Sequence, residues 1–248
     1  MTSPATWALF LLCAFVAEII GTMAGFGAAT VLTPIAALFM DVKTAIAIVA
    51  CLHLFGNTSR LYFFGRHIQW RMWVQFGLMG VVASWFGSHL TAHLSSALVG
   101  LLLGVFLVLY VGYSMIWPAG VQLPRNAVTL VGGGLLSGAI AGLIGTGGAI
   151  RSACLLVFGL SKEAYLGTSA AIALVVDATR VPVYLAERFV PSTMMPLLVS
   201  LVVVAFLGAW CGQRLIRQIS PVAFRRFVLL MLFLMGIKLC VDGWRGLA

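Results

Sequence analysis

Long apolar segments occupy most of this 248-residue chain, and only short joints separate them. A helix needs about 20 residues to cross the hydrocarbon core of a bilayer, and eight of the segments are close to that length. These runs lack the alternation that is typical of a transmembrane β-barrel strand. The pattern therefore predicts an all-α polytopic membrane protein. The ten segments are 7–23, 26–40, 44–64, 72–91, 96–117, 128–144, 147–160, 163–186, 193–213 and 222–241.

Composition and charge placement exclude most other classes of protein. Charged residues make up 8% of the chain and hydrophobic residues 62%, whereas a soluble domain carries roughly 25% charged residues. Soluble enzymes, DNA-binding folds and secreted disulfide scaffolds are therefore excluded. The net charge of +9 lies mostly in the joints, where basic residues set membrane topology and do not indicate a nucleic-acid partner. The five cysteines have no metal-ligand spacing, so we expect neither a metal nor a cofactor.

Two of the segments, 26–40 and 147–160, are too short for an untilted span. A glycine-rich break precedes each of them, so we expect two half-helices or steeply tilted helices. The predicted number of transmembrane helices is then between eight and ten. The first break consists of Gly25, Phe26 and Gly27, and the second consists of Gly145, Thr146, Gly147 and Gly148.

The two halves of the chain are similar when one is shifted by 120 residues along the other. The coinciding pairs are Gly25 with Gly145, Gly27 with Gly147, Asn57 with Asp177, and Arg60 with Arg180. Such internal symmetry is typical of duplicated transporters. The predicted organisation is a first transmembrane repeat at 1–117, a linker at 118–127 and a second repeat at 128–248.

Five segments in each repeat would place the second repeat upside down, which predicts an inverted duplication. The basic residues support this prediction. Joint 92–95 contains no lysine or arginine, whereas the corresponding joint of the second repeat, together with its flanks at 214–226, contains several arginines. If the basic joints face the cytoplasm, both termini lie on the periplasmic side of a bacterial inner membrane.

Ionisable residues inside apolar segments are the main candidates for a functional site. A charge at the bilayer centre costs about 2.5–3.5 kcal/mol, so each needs a partner or a function. Arg60 and Arg180 are repeat mates, and mates in an inverted repeat approach each other where such transporters bind substrate. Two guanidinium groups there would bind a small anion through their paired donors. The alternatives are that Arg180 pairs with Asp177 on one helix face, and that Arg60 extends to the membrane interface.

The glycine breaks are the second element of the predicted site. A helix that begins after a break presents free N–H groups and the positive end of its dipole. Two half-helices that begin at Gly27 and Gly147 would aim both positive ends at the membrane midplane. The alternative is close helix packing, which is how we interpret the evenly spaced Gly134, Gly138 and Gly142.

Other polar residues in the apolar segments have two open interpretations each. Arg151, one turn after the second break, binds substrate or neutralises Glu18. Glu18 and Asp177 are proton-coupling carboxylates or counter-ions for buried arginines. His53 and Asn57, on the third segment, are candidate substrate ligands, although a lone histidine is more often a donor between helices.

Two glycine-rich motifs occur at corresponding places in the two halves. The second motif contains Gly138, Gly142, Gly145, Gly147 and Gly148, then Leu155-Leu156, then Gly167-Thr168-Ser169-Ala170, and the first contains Gly21, Gly25, Gly27 and Pro34. These motifs resemble the repeat motif of the TauE/SafE sulfite exporter family, and the resemblance covers nearly the whole chain. It implies a bacterial inner-membrane carrier for sulfite, sulfoacetate or other organosulfonates, often one that exports products of sulfonate breakdown.

The residues and the resemblance together predict a secondary transporter and not an enzyme, because the sequence contains no nucleophile–base pair and no phosphate-binding loop. The membrane potential favours export of an anion by about 2.3 kcal/mol per charge for each 100 mV. A passive small-anion channel and a proton-coupled importer of another small organic anion stay open as alternatives, and so does a homodimer. The expected partners are a small anion and membrane lipids, without nucleic acid.

Overall fold

The computed structural model describes residues 4–24, 27–117, 122–215 and 221–247, and among these it contains helices and turns but no strand. The helices are α1 Pro4–Ala24, α2 Ala29–Ala36, α3 Val42–Phe64, α4 at 70–93, α5 Ser96–Ile116, α6 Ala127–Ile144, α7 Gly148–Leu156, α8 Lys162–Ala186, α9 Met195–Leu215 and α10 Pro221–Arg245. Helix α4 consists of Trp70–Met72, a π-helical turn Trp73–Gly77, and Leu78–His93. Short 3₁₀ turns cover Gly65–His67 and Ser192–Met194.

The long helices have the length that a bilayer requires. Among the described residues, seven helices are long and apolar enough to cross a membrane, namely α1, α3, α5, α6, α8, α9 and α10. Helix α4 is a further run of spanning length and contains Arg71 as its one Lys, Arg, Asp or Glu residue. These eight runs and the two short helices correspond to the ten predicted segments. The predicted all-α polytopic membrane class is confirmed.

Polar side chains fix the starts of four of the long helices. The side chains of Asp41, Ser95, Asn126 and Ser161 accept hydrogen bonds from first-turn amides of α3, α5, α6 and α8. Each bond satisfies one of the amides that have no partner inside the helix. These caps explain why the helices begin at the polar joints, where the sequence changes from apolar to polar.

The two short helices confirm the predicted half-helices. Helix α2 has 8 residues and α7 has 9, each too short to span. Gly27, before α2, has φ 87° and Gly145, before α7, has φ 82°, a left-handed conformation that favours glycine. Gly147, the predicted mate of Gly27, has φ −117°, so the two breaks are not identical at the positions that the repeat pairs. Gly25 lies outside the described residues.

The main helix contacts of the first half recur between the corresponding helices of the second half. Helix α4 packs on α6 in the same way that α9 packs on α1, and α4 contacts α8 as α9 contacts α3. Helix α3 packs on its counterpart α8, and α5 packs on its counterpart α10. This exchange pattern supports a two-fold relation between the halves. The inverted orientation, the repeat limits and the linker stay predictions.

Small residues allow α6 to approach α4 closely, as the four-residue glycine spacing predicts. A Cβ atom added to Gly138 would collide with the carbonyl of Gly80, and one added to Gly142 would collide with the carbonyl of Ser84. Such backbone contact between membrane helices requires residues without side chains at the crossing. The interpretation of these glycines as a packing face is therefore correct.

Replacing Gly138 with alanine is expected to destabilise the protein by about 1–3 kcal/mol, because the added methyl group overpacks the α4–α6 contact. The matched control is Gly132→Ala on the same helix, where an added Cβ would meet no atom within 4 Å. Alanine there is expected to leave stability unchanged or raise it by up to about 1 kcal/mol through helix propensity. Thermal unfolding of both variants in detergent measures the difference. Equal midpoints would contradict the proposed role of Gly138.

Candidate functional site

Among the side chains that the structure describes, five charged ones are buried inside the helix bundle. Each is at most 4% exposed, a degree of burial that requires compensation inside a membrane. They are Glu18 on α1, Arg60 on α3, Arg151 on α7, and Asp177 and Arg180 on α8. Helix α3 is the most enclosed of the seven spanning helices and lies at the middle of this group.

Glu18 and Arg60 form the first ion pair of the site. The guanidinium of Arg60 donates to Glu18 Oε1. It also donates to Thr22 Oγ1, at 3.2 Å from Nε and 2.9 Å from NH2, and to Asn57 Oδ1 at 2.8 Å. Arg60 therefore does not extend to the membrane interface. The interpretation that Arg151 neutralises Glu18 is wrong, because Arg60 occupies that position.

Asp177 and Arg180 form the second ion pair, as the three-residue spacing predicts. Arg180 NH2 lies 2.8 Å and Nε lies 2.9 Å from Asp177 Oδ1. Arg180 NH1 also donates to the carbonyl of Ala141 at 2.7 Å, and the hydroxyl of Tyr184 donates to the carbonyl of Gly142 at 2.5 Å. These carbonyls lie in the last turn of α6, where the negative end of the helix dipole favours a cation. The donors of Arg180 are thus directed to protein groups.

Asn57 and His53 connect the two ion pairs. Asn57 accepts from Arg60 through Oδ1 and donates from Nδ2 to Asp177 Oδ2 at 3.2 Å, so two repeat mates are in direct contact. His53 Nδ1 lies 2.8 Å from the same Asp177 oxygen. The other ring nitrogen, Nε2, is buried against Gly27 and has no hydrogen-bond partner among the described residues. The predicted meeting of repeat mates is therefore made by Asn57 and Asp177, while each guanidinium group is paired with its own carboxylate.

A cavity of about 10 Å³ lies beside this network and has room for roughly one water molecule. It is lined by Gly21, Gly27, Asn57, Arg60, Arg151, Leu166, Ser169 and Ala170. Four predicted site residues line it, namely Gly27, Asn57, Arg60 and Arg151. The lining does not include Glu18, His53, Gly145, Thr146, Gly147, Gly148, Asp177 or Arg180, and Gly25 lies outside the described residues.

Arg151 is the second guanidinium that lines the cavity. Its Nε donates to Ser169 Oγ on α8 at 2.9 Å, and no carboxylate in the described chain forms an ion pair with it. Ser169 and Gly21 also line the cavity and are not among the predicted site residues. Both belong to the glycine-rich motifs, as Ala170 does, and the motifs could have identified them, whereas Leu166 is apolar and gives no indication in the sequence.

A hydrogen bond connects the two helix breaks. Thr146 Oγ1 donates to Thr30 Oγ1 at 2.9 Å, which joins the start of α7 to the start of α2. The N-cap residues Ala28 and Gly147 have no side-chain oxygen that could cap the first-turn amides. The starts of the two half-helices are therefore in contact, and their position at the membrane midplane stays a prediction. Only the first break borders the cavity, because Gly147 packs against Ser137.

A multi-pass helical bundle with broken helices around a buried polar site has the architecture of a secondary transporter. The described residues contain no group of three or more His, Cys, Asp or Glu side chains that could hold a metal ion. The family model described as sulfite exporter TauE/SafE matches residues 10–239, and the chain belongs to this family. The family consists of membrane transporters, and the match confirms the resemblance carried by the glycine motifs. A comparison with curated proteins found no match.

A double-mutant cycle on Glu18 and Arg60 tests whether these residues stabilise the bundle as a pair. Arg60→Gln is expected to cost about 3–5 kcal/mol, because it leaves the buried Glu18 carboxylate without its counter-ion. The double variant Glu18→Gln/Arg60→Gln is expected to be more stable than Arg60→Gln alone. The control Arg66→Gln removes an exposed arginine just after α3 and should change little. Unfolding free energies that simply add would show that the two charges are not coupled.

Proposed function

We propose that this protein is a secondary transporter that exports a small sulfur-containing anion, sulfite or an organosulfonate such as sulfoacetate, across the bacterial inner membrane. Family membership supports the transport of such an anion. The buried cavity gives that anion a binding site whose chemistry matches its oxygens. Both termini would lie in the periplasm under this proposal, as the distribution of basic joints predicts.

The observation that carries the proposal is the presence of two guanidinium groups at one buried cavity. Arg60 and Arg151 line it together with the polar side chains of Asn57 and Ser169. Guanidinium groups offer planar, paired donors that match the oxygens of a sulfite or sulfonate group. Surrounding helices exclude bulk water, which strengthens this attraction. Arg180 is better assigned as a positioning residue, since its donors are directed to Asp177 and Ala141.

The size of the cavity favours a carrier over a passive channel. A volume of about 10 Å³ holds roughly one water molecule, so a four-atom anion enters only after the surrounding helices move apart. Two short helices that begin at glycine breaks provide places where such a movement can occur. The units that move against each other would be the repeats at 1–117 and 128–248, joined by the linker at 118–127, with alternating access in the manner of inverted-repeat transporters.

The two buried carboxylates are best explained as counter-ions. Glu18 holds Arg60 and Asp177 holds Arg180, so neither is a lone acid of the kind that a proton-coupled importer would use. Export of an anion needs no coupling ion, because a negative interior drives it outward by about 2.3 kcal/mol per charge for each 100 mV. The direction of transport under this proposal is therefore outward.

Transport by purified protein in proteoliposomes tests the proposal and separates it from a channel. We expect saturable sulfite flux and counterflow, in which sulfite on the far side accelerates uptake of labelled sulfite. A channel would pass anions without counterflow and at rates far above those of a carrier. Absence of any sulfite or organosulfonate flux in protein that remains folded would contradict the proposed function.

The double variant Glu18→Gln/Arg60→Gln is expected to lower sulfite transport by more than about tenfold, because it removes one cavity guanidinium without leaving a charge unpaired. Its folding should be retained, which size-exclusion chromatography and thermal unfolding measure. The matched control Arg66→Gln removes an exposed arginine and should transport normally. Normal transport by the double variant would remove Arg60 from the binding site.

A further inference from the structure

The structure shows whether each acidic residue of this chain is buried or exposed. The sequence contains six Asp and Glu residues, and all six lie in the described part of the structure. Four of them are exposed, namely Asp41, Glu163, Glu187 and Asp242. Glu18 and Asp177 are therefore the only carboxylates that can compensate a buried cation.

Among the side chains that the structure describes, the buried cations outnumber these two carboxylates by one. Arg60 holds Glu18 and Arg180 holds Asp177, so each carboxylate already has its own guanidinium. Arg151 is equally buried, and among the described residues no carboxylate is left for it. The buried site therefore carries a net charge of one positive unit, located at the cavity.

The imidazole of His53 does not change this count. Its Nδ1 lies 2.8 Å from Asp177 Oδ2, a position in which an N–H group donates to the carboxylate. Its Nε2 is buried and has no hydrogen-bond partner in the described part of the chain. A proton on Nε2 would leave a buried donor without an acceptor, which is costly, so the neutral ring is the form that the geometry fits.

We infer that the cavity between Arg60 and Arg151 selects an anion with a single negative charge. Among the anions proposed above, this preference narrows the substrate to hydrogen sulfite or a simple sulfonate, ahead of the dianionic forms of sulfite and sulfoacetate. The inference rests on the proposed function and specifies the substrate class of the same site. A monoanion makes the occupied site electrically neutral. A dianion leaves one uncompensated negative charge inside the membrane, where isolated charges are strongly disfavoured.

Two tetrahedral sulfur anions of similar size provide the test, because their charges differ and do not change with pH in the working range. Methanesulfonate carries one negative charge and sulfate carries two. Isothermal titration calorimetry and thermal shift on the purified full chain measure their binding, with sulfite as the reference anion. We expect methanesulfonate to bind more than about tenfold more tightly than sulfate.

A charge-changing variant tests the cause of this preference. Glu18→Gln keeps the hydrogen-bond acceptor for Arg60 and raises the net charge of the buried site by one unit. The ratio of methanesulfonate to sulfate affinity should then fall by about tenfold or more in favour of sulfate. The matched control Glu163→Gln removes the same charge at the exposed start of α8 and should leave the ratio unchanged. Asp177→Asn makes the same change in net charge, and the same affinity ratio is measured on it if Glu18→Gln does not fold.

The outcomes separate this inference from the proposed function. If sulfite binds but sulfate binds as tightly as methanesulfonate or more tightly, the inference on charge is overturned and the proposed function stands. If none of the three anions binds to folded protein, the proposed site is overturned, and the inference with it. A ratio that does not differ between Glu18→Gln and Glu163→Gln would show that the buried charges do not set the preference.

Discussion

Compensation of buried charge is the constraint on which the centre of this structure depends. Arginine and carboxylate side chains inside a membrane are tolerated only with partners, and here each paired arginine also has a partner on a second helix. Arg60 joins α3 to α1 through Glu18, and Arg180 joins α8 to α6 through Ala141. Asn57 then links the two ion pairs across the α3–α8 contact. The polar network thus holds four helices in one arrangement, and hydrogen bonds specify it more narrowly than apolar packing would.

Backbone contact at glycine is the second requirement, because the network needs helices that approach closely. Gly27 lies against the ring of His53 with no side chain between them, and Gly208 likewise lies against the side chain of Glu18. A left-handed conformation at Gly27 and Gly145 ends the preceding structure and allows each short helix to begin inside the bundle. Glycine therefore forms the turns before the short helices, allows the helices to approach closely and leaves space for the buried polar side chains.

The site departs from the symmetry of the repeats at several residues, and one of them sets its charge. Arg151 is a cation in the second half, whereas Val31 occupies the corresponding position in the first half. Arg60 and Arg180 are repeat mates, and each is neutralised by a carboxylate. The unbalanced charge lies at Arg151, which lines the cavity together with Arg60. The duplication therefore provides the scaffold, and Arg151, which has no basic counterpart in the first repeat, gives the site its net charge.

The sequence by itself determined the class of fold, the two half-helices, the glycine packing face and the residues that would be buried and charged. Hydropathy and helix length dictate these features locally, because a bilayer leaves the backbone few options. Only the tertiary structure decided how the charges pair. Glu18 and Arg60 are 42 residues apart, and no periodicity in either helix indicates that they meet. Arg180 donates to carbonyls of α6, and Arg151 faces the cavity beside Ser169. These contacts depend on how each helix is rotated and placed against its neighbours. The packing of the whole bundle sets that arrangement, and no single segment determines it.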